Sequence, residues 1–353
     1  MRKARTRSTV IAVVLGLLLM ACSLDQPQSA LDPQGPYARD PHNLFVVVFW
    51  IAVAVFVLVQ GLILYAAVKY RAKPDDDTLP VQVHGNTKLE ILWTLIPALI
   101  LAGIAVPTVR MVFELAAETD DAVTIEVIGH RWWFEYRYPD HGDIVTANEL
   151  VIPVGVPVRL EMTAEETGLP DRGVLHSFWI PKLGGKQDLV PGRITTLNLL
   201  ADEPGRYLGQ CAEYCGLSHA NMRARAVALS DGDWQAWLEN QQSPAVTPED
   251  GLAAQGAELF GNLGDRRSCV SCHNIRTEGG EPGAAVGPDL THLMSREEFA
   301  GAIFELNEEN LQQWLADPPA MKPMQPETGI GMPDLGLTPE EIDALVAYLL
   351  TLE

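Results

Sequence analysis

Four of the five cysteines in this 353-residue chain fall in two short motifs, each able to hold a redox metal. In the first, Cys211, Cys215, His219 and Met222 follow one another at spacings of four, four and three, and His176 lies well upstream. Thiolate and imidazole, completed by weaker thioether or carbonyl donors, make a donor set for copper. One copper uses one thiolate, whereas two thiolates can bridge two coppers, each capped by an imidazole. Plainer uses of the same residues are a Cys2His2 zinc site or a Cys211–Cys215 disulfide, but zinc leaves Met222 unexplained. The second motif, Cys269-Val270-Ser271-Cys272-His273, reads as a covalent c-type heme attachment, with both thiols on the heme and His273 on the iron. The other axial ligand must come from further along. Met294, Met321, Met324 and Met332 are the methionine candidates, and His292 is the imidazole alternative. Two tethered redox sites in one chain make sense if electrons pass between them.

The elements that must position these residues differ along the chain. From Ala122 to about Ser230, short alternating segments such as Val123–Ile128 and Val156–Met162 are punctuated by Gly and Pro, which predicts a β-sandwich or barrel. Residues 231–250, with Ser243-Pro244 and Thr247-Pro248, read as a polar linker. Leu252–Gly261 and Thr338–Leu352 read as the helices before and after the heme motif.

The N-terminal third is apolar. Arg2, Lys3, Arg5 and Arg7 precede the run Val10–Ala21, the pattern of a secretory signal. The run ends Leu19-Met20-Ala21-Cys22-Ser23, which resembles a bacterial lipoprotein box. That likeness implies a lipidated Cys22 at the new N-terminus; a plain signal peptide or an uncleaved anchor, with Cys22 incidental, is the alternative for residues 1–22. Leu44–Val68 and Ile91–Val109 each fit a transmembrane helix. Lys69, Arg71, Lys73 and Lys88 between them place that loop in the cytoplasm and everything after Arg110 outside. Glu90 opens the second span, as a flanking charge at the interface or as the mouth of a proton path.

Net charge is −21. Residues 115–353 hold 38 Asp and Glu against 15 Lys and Arg. Such a surface argues against nucleic acid and favours a basic protein partner, although solubility alone also accounts for it.

From Leu44 to Ser230 the chain resembles subunit II of the heme–copper cytochrome c oxidases, which carries the dinuclear CuA centre. The resemblance covers Leu89-Glu90-Ile91-Leu92-Trp93-Thr94-Leu95-Ile96-Pro97, Gly129-His130-Arg131-Trp132-Trp133-Phe134-Glu135-Tyr136, Leu175-His176-Ser177-Phe178, Lys186-Gln187-Asp188-Leu189-Val190-Pro191-Gly192-Arg193 and the whole copper loop. It implies that Cys211 and Cys215 bridge two coppers, with His176 and His219 terminal and Met222 weakly axial. Glu213 would give copper its backbone carbonyl and a shared magnesium its side chain. Trp132 would be the electron-entry aromatic and Glu90 the entrance of a proton channel. The aromatic run departs from the family's common Trp-Tyr-Trp.

Residues 251–353 resemble a small class I cytochrome c. That likeness favours Met332, followed by Pro333, over Met324 as axial ligand. It also implies that the Pro288 carbonyl orients His273. The whole resembles subunit II of caa-type oxidases, with a two-helix hairpin at 40–114, a cupredoxin-like CuA domain at 115–230 and an all-α cytochrome domain at 251–353. The implied partners are subunits I and III, a cytochrome c or other donor, and membrane lipid. An electron-entry subunit of a CuA-containing nitric oxide reductase is the alternative. A copper storage protein would need no heme, and a quinol oxidase subunit would have lost the copper ligands.

Overall fold

The computed structural model describes residues 26–71, 81–82, 84–165, 173–279, 283 and 286–353. The signal segment and Cys22 lie outside the described residues, as does Lys73 of the basic loop.

Residues Arg39–Ala117 form one compact unit. It holds most of helix α1 (Pro36–Lys69) and all of helix α2 (Thr87–Ala116), both long and apolar enough to cross a membrane. Both run past the expected spans of 44–68 and 91–109. Asn86 caps α2 by accepting from the Lys88 and Leu89 amides. Large apolar side chains such as Phe56, Leu64, Trp93 and Leu101 stay exposed in the chain, as a helix facing lipid requires.

The second unit contains the rest of the described chain. Its first part is a sandwich of two five-stranded sheets. One has the order β3-β2-β1-β5-β8, the other β4-β10-β9-β6-β7. The strands are β1 Val123–His130, β2 Trp133–Tyr138, β3 Ile144–Ala147, β4 Glu149–Pro153, β5 Val158–Ala164, β6 His176–Trp179, β7 Lys186–Leu189, β8 Thr195–Leu199, β9 Gly205–Cys211 and β10 Arg223–Leu229. Strand β5 alternates strictly between buried and half-buried residues, as a strand with one face on a core must. Ile125, Val127, Phe134, Leu160, Met162 and Phe178 are fully buried between the sheets. Each contributes about 1.5–3 kcal/mol by leaving water.

The segment expected as a linker is helical over α3, Asp231–Gln242. The Ser230 hydroxyl caps it by accepting from the Asp233 amide. Trp234 and Leu238 are buried, and Trp234 and Trp237 stack at 5.2 Å beside Tyr138. The polar composition of 231–250 hid two indoles at helical spacing that dock on the sandwich. Only residues 243–250 join the two domains as extended chain.

The C-terminal domain is helical. Its helices are α4 (Gly251–Gly261), α5 (Glu308–Ala316), the short α6 (Pro318–Met321) and α7 (Pro339–Leu349). A small hairpin, β11 (Glu298–Phe299) with β12 (Phe304–Glu305), adds to the expected all-helical pattern. Helices α4 and α7 cross at Gly256, where a Cβ would come within 2.0 Å of the Ala344 carbonyl. Thr338 and Glu341 form a capping box at the start of α7.

Candidate functional site

Strand β9 ends at Cys211 and strand β10 begins at Arg223, so the copper-type loop lies between them at one end of the sandwich. Strand β6 pairs with β9 and supplies His176 from beside it. The five expected side chains converge there. The Cys211 and Cys215 sulfurs lie 3.8 Å apart, and both cysteines are free. That separation excludes the disulfide, whose S–S bond is about 2.05 Å. His176 Nδ1 lies 3.8 Å from Cys211 Sγ, and His219 Nδ1 lies 3.6 Å from Cys215 Sγ. Met222 Sδ is 3.9 Å from Cys215 Sγ, and the Glu213 carbonyl is 3.2 Å from Cys211 Sγ.

Each thiol thus has its own imidazole, while the two thiols face each other. The hydrogen bond between them pulls the Cys211 thiol far below its usual pKa and, with burial, pushes Cys215 above its own. Two buried sulfurs competing for one proton are a site built for cations. The donor set of two thiolates, two imidazoles, a thioether and a carbonyl suits soft copper. The Glu213 carboxylate turns back to accept from the Tyr214 amide.

Trp132 sits in the turn between β1 and β2, 3% exposed. Its indole Nε1 donates to the Cys215 carbonyl at 2.9 Å. Glu90 lies in the first turn of α2, exposed in the chain.

The heme motif opens onto a cavity of about 270 Å3 in the cytochrome domain, lined by Cys269, Cys272, His273, Met324 and Met332. His273 Nδ1 is 2.8 Å from the Pro288 carbonyl, an arrangement that frees Nε2 for iron. Burial pushes the His273 pKa down, favouring the neutral ring a metal needs. Beside it, a Cβ on Gly287 would lie 2.7 Å from the His273 ring, so only glycine lets the loop close on the imidazole. Burial pushes the Cys269 thiol up to about 11. Arg296 also lines the cavity, and its buried Nε has no hydrogen-bond partner among the described residues. Its Nη2 donates to the Asp289 carbonyl at 2.6 Å, and the remaining Nε–H would suit a heme carboxylate. Met332 Sδ accepts from Trp314 Nε1 at 3.2 Å, and Met324 Sδ accepts from the Met332 amide at 3.4 Å. His292 is engaged by the Glu353 and Ser243 backbone carbonyls and does not line the cavity. Met294 and Met321 do not line it either.

The cavity does not end at the domain boundary, for Trp132 and Trp133 of the copper domain also line it. Around it the hairpin turn Ala300–Ala302 abuts the copper loop. Arg225 pairs with Glu298 and donates to the Ala302 carbonyl, and the Glu149 carboxylate accepts from the Glu297 and Glu298 amides. Lys322, buried, bridges the same junction. Burial lowers its pKa to about 7. Sequence reasoning missed Lys322, Arg225 and Trp314. No motif marks them, and their partners lie far away along the chain.

A copper-type loop and a heme-type cavity packed on either side of one tryptophan define a two-centre electron-transfer protein. Three stretches match family descriptions: residues 27–111 "Cytochrome C oxidase subunit II, transmembrane domain", residues 123–228 "Cytochrome C oxidase subunit II, periplasmic domain", and residues 253–353 "Cytochrome c". The chain is 38% identical to a cytochrome c oxidase subunit 2 of Alkalihalophilus pseudofirmus, over 96% of this chain and 95% of that one. It is 34% identical to one of Bacillus subtilis, over 97% and 96%. Among solved structures, the periplasmic domain of subunit II of cytochrome oxidase from Bradyrhizobium japonicum is 29% identical, covering 36% of this chain and 97% of that one with a TM-score of 0.33. The chain belongs to the cytochrome c oxidase subunit II family and carries a C-terminal cytochrome c domain. It is a membrane-anchored subunit with its copper domain on the periplasmic side. Its cofactors are dinuclear copper and heme c, and both donor sets fit them.

Proposed function

We propose that this chain is the electron inlet of a caa-type oxidase: it takes electrons at its cytochrome domain and delivers them through its copper domain to a catalytic subunit I that reduces oxygen. When bound, the heme and the copper pair each supply a one-electron carrier. The observation that carries the reading is the continuity between the two sites, since the heme-type cavity reaches Trp132 and the Trp132 indole bonds to Cys215.

The residue roles follow. Cys211 and Cys215 would hold both coppers between them, His176 and His219 would each hold one, and Met222 and the Glu213 carbonyl would supply the weaker donors. Cys269 and Cys272 anchor the heme, His273 binds its iron and Pro288 orients that ring. Met332 would be the second protein ligand of the heme iron. It packs within the cytochrome domain's own core, whereas Met324 packs against the copper domain. Trp132 is the residue through which electrons enter the copper site.

Further roles concern the assembled enzyme. Glu90, in the first turn of α2, marks the entrance of a proton path shared with subunit I. The Glu213 side chain joins a magnesium site at that interface. Subunit III completes the membrane part, a cytochrome c or another donor reduces the heme, and Cys22 carries a lipid.

The test is turnover of the purified enzyme with reduced donor. Oxygen consumption abolished by Cys269→Ala, with the copper spectrum retained, is the expected result. Undiminished oxygen consumption in that variant would contradict the inlet role. Reduction of nitric oxide in preference to oxygen would favour the nitric oxide reductase.

A further inference from the structure

The seam between the cytochrome and copper domains is centred on a buried lysine amine. Lys322 is 3% exposed. Its Nζ donates to the Trp132 carbonyl at 2.7 Å and to the Ala300 carbonyl at 2.6 Å. The first acceptor belongs to the copper domain, the second to the β11–β12 turn of the cytochrome domain. Lys322 also lines the heme-type cavity. A buried charge is costly unless its protons find acceptors, and a residue that only filled space would do so more favourably as methionine.

The neighbours of Lys322 tighten the same junction. The Pro323 carbonyl accepts from the hydroxyl of Ser218, which precedes His219. Gly301, at φ +86°, gives its carbonyl to the Arg223 amide at 2.9 Å. A Cβ there would lie 2.6 Å from Lys322 Nζ, 2.8 Å from the Trp132 carbonyl and 2.9 Å from the Asn221 carbonyl. Glycine alone admits this approach.

We infer that Lys322 is a positioning residue for electron passage, holding the wall of the heme cavity against the Trp132 backbone and so fixing the gap between the two cofactors. The inference rests on the electron-inlet reading. In the step concerned, one electron is lost by the heme and gained by the copper pair; no bond forms or breaks and no proton moves.

The test uses the membrane-bound oxidase with both cofactors loaded, as native protein and as Lys322→Met, Lys322→Arg and Gly301→Ala. Two readouts are needed. One is the enhancement of copper electron-spin relaxation by the heme, which reports their separation. The other is the rate of heme-to-copper transfer after flash reduction of the heme. In Lys322→Met the relaxation enhancement should fall and transfer should slow severalfold, because electron tunnelling falls exponentially as the gap between the centres widens. Reduction of the heme by donor should keep its native KM. Lys322→Arg should restore most of the rate, and Gly301→Ala should slow the same step.

Native relaxation and a rate within about twofold of native in both Lys322→Met and Gly301→Ala would overturn the inference. So would a slowed rate with unchanged relaxation. If Lys322→Met fails to load copper, Gly301→Ala decides alone, and a native rate there overturns it. Absence of heme-to-copper transfer in the native protein would instead overturn the electron-inlet reading itself.

Discussion

The Trp132 indole is bound to the carbonyl of Cys215, 83 residues further along the chain, at 2.9 Å. That bond joins the turn between β1 and β2 to the middle of the copper loop. It gives an aromatic ring that lines the heme cavity a direct contact with a residue whose thiol faces the metal site. Trp132→Phe keeps an aromatic ring but removes the pyrrole ring with its N–H donor. The Cys215 carbonyl then loses its indole partner, at a cost of about 1–3 kcal/mol. Copper should still load, and heme-to-copper transfer should slow. Flash-induced transfer kinetics beside the copper absorption spectrum check both.

The two cavity methionines make different predictions. Met332→Leu should abolish the methionine–iron charge-transfer band and lower the heme potential, because thioether ligation raises it. Met324→Leu should keep both. Trp314→Phe removes the indole that points at Met332 Sδ from 3.2 Å, and should weaken the band without abolishing it. Optical redox titration of the three variants is the measurement.

The start of α7 sets an acid limit for the cytochrome domain. Glu341 accepts from Arg266 and from the Thr338 amide, and these bonds hold its carboxyl down at about 2. A carboxyl whose folded pKa is depressed adds stability that is fully present above its ordinary range, near 4.5. That contribution drains away as pH falls from about 4.5 toward 2. Glu341→Gln keeps a capping-box acceptor but removes the charge that faces Arg266, and should therefore cost up to about 1 kcal/mol at pH 7. The gap between the variants should close below pH 4. Urea titrations of the two proteins at several pH values check it.

Helix α3 fastens the end of the copper domain. Trp234 is buried against Tyr138 and Trp237. Trp234→Ala should destabilise the domain by about 3–5 kcal/mol. The copper spectrum should be unchanged at low temperature. Thermal melts followed at the copper band measure the loss.

How far the sequence reached is clear from particular residues. Cys211, Cys215, His219 and Met222 share one loop, so their spacing alone announced a metal site. His176 lies well upstream, so the donor set required it to arrive from a different strand, and β6 delivers it to the same point. The apolar runs announced α1 and α2 because a membrane span needs length and composition rather than tertiary context. Helix α3 was hidden, for Trp234 and Trp237 sit among polar residues and their partner Tyr138 lies in another strand. The Lys322 junction was hidden for the same reason. Its acceptors, Trp132 and Ala300, are backbone carbonyls, and no side-chain pattern encodes a carbonyl.

The most direct test of the account is the electron paramagnetic resonance spectrum of the oxidised, fully loaded protein. Two thiolates 3.8 Å apart, each facing its own imidazole, predict one unpaired electron shared equally by two copper nuclei, beside a low-spin heme signal. A hyperfine pattern from a single copper nucleus, or a heme signal with no copper signal, would contradict it.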